Sequence, residues 1–302
     1  MRHAQSESAA GECPPVTVAY LILTHANPRQ LARLVGSLPA HSPVLIHCDR
    51  RTDDAVYQEM VKLVGSRPLL QFVKRERCWW GSFGIVQATI NLIRTLVTLQ
   101  SPYDYATLLS GSDYPIKSNT EIACDLDRNR GKEFIESFLL TAPNRWTDDG
   151  GYSTAPRRVL GRHIHLRSRL IRLPGLRTMP AGLAPYGGSQ WWTLSAESIR
   201  YIAEFIEGSP EVVAFFKGCF VPDESFFQTI VANSRLAGRI ASDNLRIAVW
   251  GRPLPPYPAT LTMDDQEMLR SSEKHFARKF DPRVDSKILD LLDSWRLQRE
   301  AS

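Results

Sequence analysis

The amino-acid sequence predicts an α/β fold in which helices cover both faces of a mostly parallel central sheet. In the first half of the chain, apolar runs of strand length alternate with segments of helical spacing. Continuous apolar runs are typical of strands buried on both faces, and their alternation with helices predicts βαβ units. The strands are expected at 16–23, 43–47, 69–73 and 105–109, and the helices at 28–38, 54–64 and 82–98.

The second half of the chain is less regular. The segment 144–188 is rich in Arg, Pro and Gly, which predicts long loops with room for one short helix. Residues 1–15 are expected to form a disordered tail, and 16–298 a single domain. Further strands are expected at 134–139, 190–194 and 245–249, and further helices at 196–207, 222–232, 264–277 and 284–297.

The composition is that of an ordinary globular protein. The chain has 302 residues, of which 43% are hydrophobic and 23% charged, and a formal net charge of +5. These values argue against a disordered or fibrous chain and fit a negatively charged ligand. The five cysteines form no CxxC pair, so neither a disulfide framework nor a zinc site is expected. No window approaches the ~18 apolar residues of a membrane span, and we expect a cytoplasmic protein.

One stretch of the sequence is strongly basic. Such a stretch is expected to face an anionic acceptor or the inner membrane surface, and the alternative is a solvated loop whose charges only aid solubility. A nucleic-acid partner is not expected, because no aromatic residue is interleaved between Arg157 and Arg177 and no nucleic-acid-binding motif is present. Between Gly150 and Ala196 there is no acidic residue, and the arginines are Arg157, Arg158, Arg162, Arg167, Arg169, Arg172 and Arg177.

Polar residues follow three of the predicted parallel strands, at the edge where such sheets bind ligands: His25, Asp49 and Asp113. The sequence has no phosphate-binding glycine loop, so a bound diphosphate would need side-chain cations or a metal. If a metal held the diphosphate, an Asp-x-Asp pair should follow a mid-sheet strand, but this chain has only Asp113 there. Asp125 and Asp127 have that spacing on a predicted helix instead. The sequence therefore predicts a diphosphate held without a metal or other cofactor.

Six segments of the chain read IHCDRR (46–51), WGSFGIVQA (80–88), LLSGSDYPIKS (108–118), GGSQWW (187–192), VPDESF (221–226) and FARKFD (276–281). In this order along the chain they resemble the core-2/I-branching β-1,6-N-acetylglucosaminyltransferase family, which includes the peptide O-xylosyltransferases. The resemblance implies a GT-A-like fold, with a nucleotide-binding half at about 16–140 and an acceptor half at about 141–298, and an inverting reaction without a metal. Because the sequence shows neither the membrane anchor nor the disulfide pairs of the family's eukaryotic members, we expect a bacterial-type member.

The resemblance implies a role for each matching residue. Glu224 matches the catalytic base, which takes the proton of the acceptor hydroxyl. It is expected in the first turn of a helix, where the helix dipole favours its carboxylate form, and Asp223 is expected to cap that helix or to position Glu224. Lys279 matches the lysine that holds the UDP diphosphate, and Arg278 or Arg252 is expected to assist it. The other donor-side residues are Asp49, which contacts the nucleoside, and Trp80, Ser112 and Asp113.

On the acceptor side, the resemblance places Trp250 against the sugars and matches Glu136 and Arg145 to acceptor-binding positions. We expect transfer of N-acetylglucosamine from UDP-GlcNAc to a hydroxyl of a glycan or glycolipid. The alternative within the family is a xylosyltransferase or a transferase for another UDP-sugar. The alternative of another class is a non-catalytic sugar- or nucleotide-binding module, and the presence of Glu224 and Lys279 argues against it.

Overall fold

The computed structural model describes residues 16–99, 101–146, 154–166, 169–251 and 258–300. The strands are β1 (Val18–Thr24), β2 (Val44–Cys48), β3 (Leu70–Phe72), β4 (Tyr105–Ser110), β5 (Tyr114–Pro115), β6 (Phe134–Ile135), β7 (Phe138–Leu139), β8 (Gly161–Leu166), β9 (Arg169–Leu176), β10 (Tyr186–Gly187), β11 (Trp192–Ser195), β12 (Arg246–Ala248) and β13 (Phe276–Arg278). The α-helices are α1 (Pro28–Ser37), α2 (Asp54–Val64), α3 (Gly84–Thr98), α4 (Asn119–Arg128), α5 (Thr154–Leu160), α6 (Ala196–Gly208), α7 (Pro210–Phe216), α8 (Phe226–Ala232), α9 (Gln266–Ser271) and α10 (Lys287–Glu300).

The central sheet has six strands in the order β3-β2-β1-β4-β11-β6. The first four strands are parallel, whereas β11 runs antiparallel to both β4 and β6. The predicted fold class, α/β with a mostly parallel central sheet and helices on both faces, is confirmed. Strand β11 lies after residue 140, so both predicted halves of the chain contribute strands to this sheet.

Two hydrophobic clusters lie on opposite faces of this sheet. In β1, Ala19 and Leu21 pack with α3, α6 and α8, whereas Tyr20 and Ile22 pack with α1, α4 and α10. Successive residues of a strand point to opposite faces, so an unbroken apolar run serves both clusters. Each fully buried aliphatic side chain of this kind contributes about 1.5–3 kcal/mol to folding.

The parallel strands end at one edge of the sheet, as the sequence predicted. His25 follows β1, Asp49 follows β2, and the turn from Gly111 to Asp113 follows β4. The connections after β1 and β4 pack closely against each other. A side chain at Gly111 would not fit, since its Cβ atom would lie 2.5 Å from Thr24 Oγ1. The candidate site residues of the first half are therefore neighbours in space.

Several predictions for the second half were wrong in detail. The strand expected at 134–139 is two short strands, β6 and β7, which belong to different sheets. The helix expected at 222–232 is a 3₁₀ turn, Pro222–Glu224, followed by α8, because Ser225 leaves helical geometry at φ −145°. Glu224 therefore precedes the α-helix and does not lie in its first turn.

The helix expected at 264–277 ends at Ser271, and β13 follows it. In β13, Phe276 and Ala277 are buried and pair with β12 on one side and β5 on the other. This tertiary pairing outweighs the local helical spacing. Arg278 is thus the last residue of a strand, and Lys279 comes directly after it. The prediction that both residues directly follow a helix was wrong.

The loops expected at 144–188 were also wrong in part. The predicted short helix exists as α5, but a two-stranded antiparallel hairpin, β8–β9, follows it at once. The sequence analysis also missed α7. The prediction of a disordered tail at 1–15 lies outside the described residues, as do Arg252 and Arg167.

Candidate active site

The nucleoside-side candidate, Asp49, is held at the end of β2 by backbone and side-chain contacts. Its Oδ1 atom accepts hydrogen bonds from the backbone N–H of Arg51 at 2.8 Å and of Cys78 at 3.3 Å. His25 lies close enough to both Asp49 and Lys279 to interact with their charges. Burial lowers the pKa of His25, Lys279 and Arg51 lower it further, and Asp49 opposes them. The His25 ring therefore lies within reach of charges from both the nucleoside-side candidate and the cations.

Asp113 is fully buried between two arginines. Arg246 Nε donates to its Oδ2 at 3.1 Å, and Arg278 Nε donates to its Oδ1 at 3.0 Å. Ser110 Oγ also donates to the same carboxylate. Removing one partner of a buried ion pair is strongly destabilising, because it leaves an unpaired charge. Asp113 therefore fixes Arg278 in place, and its direct contact with a donor stays a prediction.

Arg278 and Lys279 form the cationic part of this edge. The Arg278 guanidinium lies 4.6 Å from the centroid of the Trp191 ring, which further limits its orientation. Burial lowers the pKa of Lys279, Arg278 lowers it further, and Asp113 opposes them. Ser112 joins the cluster through its carbonyl oxygen, which accepts from the Phe280 N–H at 2.9 Å. The two cations thus lie beside the turn that follows β4.

Two backbone hydrogen bonds connect the segment 221–224, which contains Glu224, to its neighbours. The N–H of Val221 donates to the Gly81 carbonyl at 2.9 Å, which ties the Pro222–Glu224 turn to the loop that also binds Asp49. The N–H of Gly188 donates to the Glu224 carbonyl at 2.9 Å. Gly188 is three residues before Trp191, against which Arg278 packs. The segment 188–191 therefore runs from the candidate base to the cations.

The Glu224 carboxylate contacts an arginine of α5. Arg158 Nη1 donates to Glu224 Oε2 at 3.0 Å, and both side chains are 31% exposed. Burial raises the pKa of Glu224; Arg158 and then Arg145 oppose this, and Glu136 adds to it. A carboxylate in such a recess keeps its charge only with help from nearby cations. The Arg158 contact leaves Oε1 available to an incoming hydroxyl group.

Asp223, next to Glu224, is 7% exposed. Burial and the charge of Glu224 raise its pKa to about 7. In the described part of the chain, its Oδ1 atom is buried without a hydrogen-bond partner. Burial thus raises the pKa of both adjacent carboxyl groups, and shifted pKa values of this kind cluster at enzyme sites.

The acceptor-side candidates Glu136 and Arg145 form a bidentate ion pair. Arg145 Nε and Nη2 donate to the two oxygens of Glu136 at 2.7 and 2.8 Å. The Trp146 ring lies beneath two guanidinium groups, at 5.7 Å from Arg145 and 4.2 Å from Arg158. A Cβ atom at Gly188 would clash with the backbone carbonyl of Glu136, so the backbone of Glu136 packs closely against the segment that binds Glu224.

The two predicted tryptophans are both exposed. Trp80 is 61% exposed, and its ring makes an edge contact with Phe220 at 5.5 Å. Trp250 is 60% exposed and lies two residues after β12, whose register aligns Ala248 with Arg278. Exposed indole rings offer apolar faces on which a pyranose ring can stack. Their proposed sugar contacts stay predictions.

No cluster of three or more His, Cys, Asp or Glu suited to a metal ion occurs within the described ranges. The Asp125–Asp127 pair lies on α4, as predicted, and both carboxylates have protein partners. Asp125 Oδ2 lies 2.9 Å from His275 Nε2, and Asp127 accepts from Arg130 at 2.7 Å. These contacts do not test the predicted independence from metals.

Two site residues escaped the sequence analysis. Arg246 lies within the predicted strand 245–249, and a charged residue in an apolar strand needs a buried partner, which was a usable signal. Arg158 is one of seven arginines in an irregular stretch, and nothing in the sequence distinguishes it from the others. Only the three-dimensional packing of α5 against Pro222–Glu224 identifies it.

Comparisons with known proteins identify the family of the chain. The family model described as Core-2/I-Branching enzyme matches residues 18–271. The chain is 29% identical over 303 residues to xylosyltransferase 2 of Homo sapiens and 25% identical over 306 residues to xylosyltransferase oxt of Drosophila melanogaster. These alignments cover 93% and 94% of this chain but 34% of each relative. The chain thus spans about a third of the length of the curated relatives it matches.

Among solved structures, core-mannan synthase A from Aspergillus fumigatus, in a form with Mn and GDP, aligns over 77% of this chain and 74% of its own. The TM-score is 0.39 and the identity is 9%, which is too distant to bear on function. The matching family is described as one of enzymes, and both relatives are named as xylosyltransferases. The chain belongs to the Core-2/I-Branching enzyme family, and this confirms the resemblance seen in the sequence.

Proposed function

We propose that this chain is an inverting glycosyltransferase that moves a sugar from a UDP-sugar to a hydroxyl group of an acceptor. The observation that supports it most is the recessed Glu224 carboxylate, joined through the segment 188–191 to the Arg278 and Lys279 cations. A base and a cationic leaving-group site on opposite sides of one reacting carbon are what a single displacement requires.

In the proposed reaction, Glu224 takes the proton of the acceptor hydroxyl as its oxygen attacks the anomeric carbon. The bond from that carbon to the diphosphate oxygen breaks, and UDP leaves with the electron pair. Arg158 holds one oxygen of Glu224, and so it orients the other oxygen toward the acceptor. Attack from the side opposite to UDP inverts the configuration at the anomeric carbon.

Arg278 and Lys279 would stabilise the negative charge that grows on the diphosphate. Asp113 and Arg246 support this role, because the buried ion pairs keep Arg278 in one orientation. With fixed cations at the leaving group, the proposed reaction needs no divalent ion. Asp49 would contact the nucleoside, and Trp80 and Trp250 would flank the sugars.

The donor sugar has two candidates. N-acetylglucosamine follows from the branching enzymes that the sequence resembles, and xylose follows from the printed names of the relatives. The acceptor is a glycan, a glycolipid or a protein. We place the protein in the cytoplasm as a proposal that cell fractionation tests. The helices of the described ranges include none that is both long and apolar enough to cross a membrane.

A thermal-shift panel tests the donor site directly. UDP, UDP-GlcNAc and UDP-xylose at about 100 times Kd should each stabilise the native state by about 2.7 kcal/mol, which raises Tm by several degrees. The Lys279→Met variant should lose at least about tenfold in UDP affinity, because a charge-assisted contact disappears. Lys274→Met, which removes an ion pair with Asp243, is the matched control. Stabilisation by no uridine nucleotide would refute the proposal.

A further inference from the structure

The β8–β9 hairpin has one apolar face that points away from the protein. Antiparallel pairing places Ile164 opposite Ile171, with Arg162–Leu173 and Leu166–Arg169 as the neighbouring pairs. Directly opposed residues share a face, and so do alternate pairs. All four aliphatic side chains are exposed, from 40% for Leu173 to 57% for Leu166. We call Ile164, Leu166, Ile171 and Leu173 the aliphatic face.

The opposite face of the hairpin lies on the body of the protein. The His163 ring is 5.8 Å from the Phe220 ring, and the Arg172 guanidinium is 5.7 Å from it. The His163 N–H donates to the Gly218 carbonyl at 3.0 Å. Arg177 secures the base of the hairpin, donating to the carbonyls of Gly161 and Gly218 among others. The aliphatic face is therefore presented outward by a firmly attached hairpin.

Arginines surround the aliphatic face. Arg157, Arg162, Arg169 and Arg172 are exposed, and Gly150–Ala196 contains no acidic residue. The sequence-based expectation for the basic stretch needs one correction here. Arg158 and Arg177 are bound to Glu224 and to backbone carbonyls, so they do not face a partner. Of the exposed arginines, Arg162 and Arg169 share the face with these aliphatic side chains, and we call them the basic rim.

We propose that the aliphatic face and its basic rim bind the surface of an anionic lipid bilayer. Aliphatic side chains insert at the boundary between headgroups and acyl chains, while arginines contact lipid phosphates. A second copy of this chain fits the surface poorly, because two acid-free, arginine-rich faces repel each other. A single-stranded nucleic acid would use aromatic rings for base stacking, and the four apolar side chains of this face are all aliphatic.

The surface adjoins the candidate active site. The α5 helix carries Arg158 to Glu224 and continues directly into β8 at Gly161. Trp80 on the donor side contacts Phe220, the same ring against which the hairpin packs. A bilayer bound at the hairpin therefore lies next to the candidate active site. Lipid binding itself does not depend on the proposed transfer reaction.

Vesicle sedimentation tests the proposal with the full chain. The protein should sediment with vesicles of phosphatidylglycerol and phosphatidylcholine at low salt, and much less with phosphatidylcholine alone. High salt should release it, since each arginine contributes roughly a fivefold change in partition coefficient. Equal binding to both vesicles, or binding to neither, would overturn the proposal. Release from anionic vesicles by single-stranded DNA, with tighter binding to the DNA, would also overturn it in favour of nucleic acid.

Two double variants separate the aliphatic and basic contributions. Ile164→Ser with Ile171→Ser, and Arg162→Glu with Arg169→Glu, should each reduce partitioning at least about tenfold. The matched controls are Leu297→Ser, which changes an aliphatic residue that is 70% exposed on α10, and Lys62→Glu on α2. Both controls should bind as the wild type does.

Circular dichroism and the UDP thermal shift show whether each variant remains folded and keeps its donor site. A folded double variant that still binds anionic vesicles as well as the wild type refutes the assigned surface. Loss of vesicle binding with an unchanged UDP response supports it. Because the two readouts are separate, a failure of the proposed transferase function is distinguishable from a failure of the membrane surface.

Discussion

Replacing Glu224 with Gln tests the central step of the proposed reaction. The substitution keeps the side-chain volume and removes the base. General-base catalysis contributes ~10²–10⁴ in rate, which equals about 2.7–5.4 kcal/mol on the activation barrier. The variant also loses the ion pair with Arg158 at 3.0 Å. With both partners 31% exposed, that pair contributes only about 0.2–1 kcal/mol to stability. The expected loss of kcat is therefore larger than any loss from unfolding.

The assay is UDP release with the donor that supports turnover, together with UDP affinity and Tm for the same samples. Glu197→Gln is the matched control, because Glu197 also pairs with arginines, Arg239 at 2.6 Å and Arg235 at 2.8 Å. We expect full activity from the control, and from Glu224→Gln an unchanged UDP affinity with kcat reduced at least a hundredfold. If Glu224→Gln keeps kcat within a few-fold of the wild type, Glu224 is not the base.

Two further predictions concern metals and pH. Turnover should survive excess EDTA and gain little from manganese; a complete loss on chelation that manganese restores would contradict the proposed diphosphate site. The pKa of Asp223 is raised to about 7 from an ordinary 3.8, so the native state keeps a proton that the unfolded state releases, and stability should fall as pH rises from about 4 to 7. In urea unfolding, the free energy of unfolding of Asp223→Asn, relative to that of the wild type, should therefore rise by about 2 kcal/mol from pH 5 to pH 8. If the difference between variant and wild type is the same at both pH values, the pKa of Asp223 is not raised.

The donor edge of the site follows directly from the sequence. Asp49 and Asp113 come after buried apolar runs, and parallel strands bring their carboxyl ends to one edge whatever the details of packing. The motif matches added Glu224 and Lys279, which are far apart in the chain. Asp49 and Asp113 were predictable because local periodicity and strand direction determine where they lie, whereas Glu224 and Lys279 came from the motif matches and their local structure was predicted wrongly.

The remaining part of the site depends on contacts that the sequence does not encode locally. Phe276 and Ala277 have helical spacing with the preceding residues, yet pairing with β12 and β5 places them in a strand. Arg158 becomes a site residue only because α5 packs against Pro222–Glu224. The hairpin was missed for the same reason, since Pro and Gly in 144–188 suggest loops until the β8–β9 register is seen.

The buried Asp113–Arg246–Arg278 arrangement has a consequence for the end of the catalytic cycle. At the proposed diphosphate site, the positive charges are carried by Arg278 and Lys279. A metal ion can dissociate together with the nucleotide, but these charges belong to the chain and stay behind. After each transfer, UDP must leave a site that still attracts it. On the proposed mechanism, UDP is therefore a product inhibitor. Turnover then depends on how quickly UDP is removed, and on the ionic strength, because salt screens the attraction between UDP and these cations.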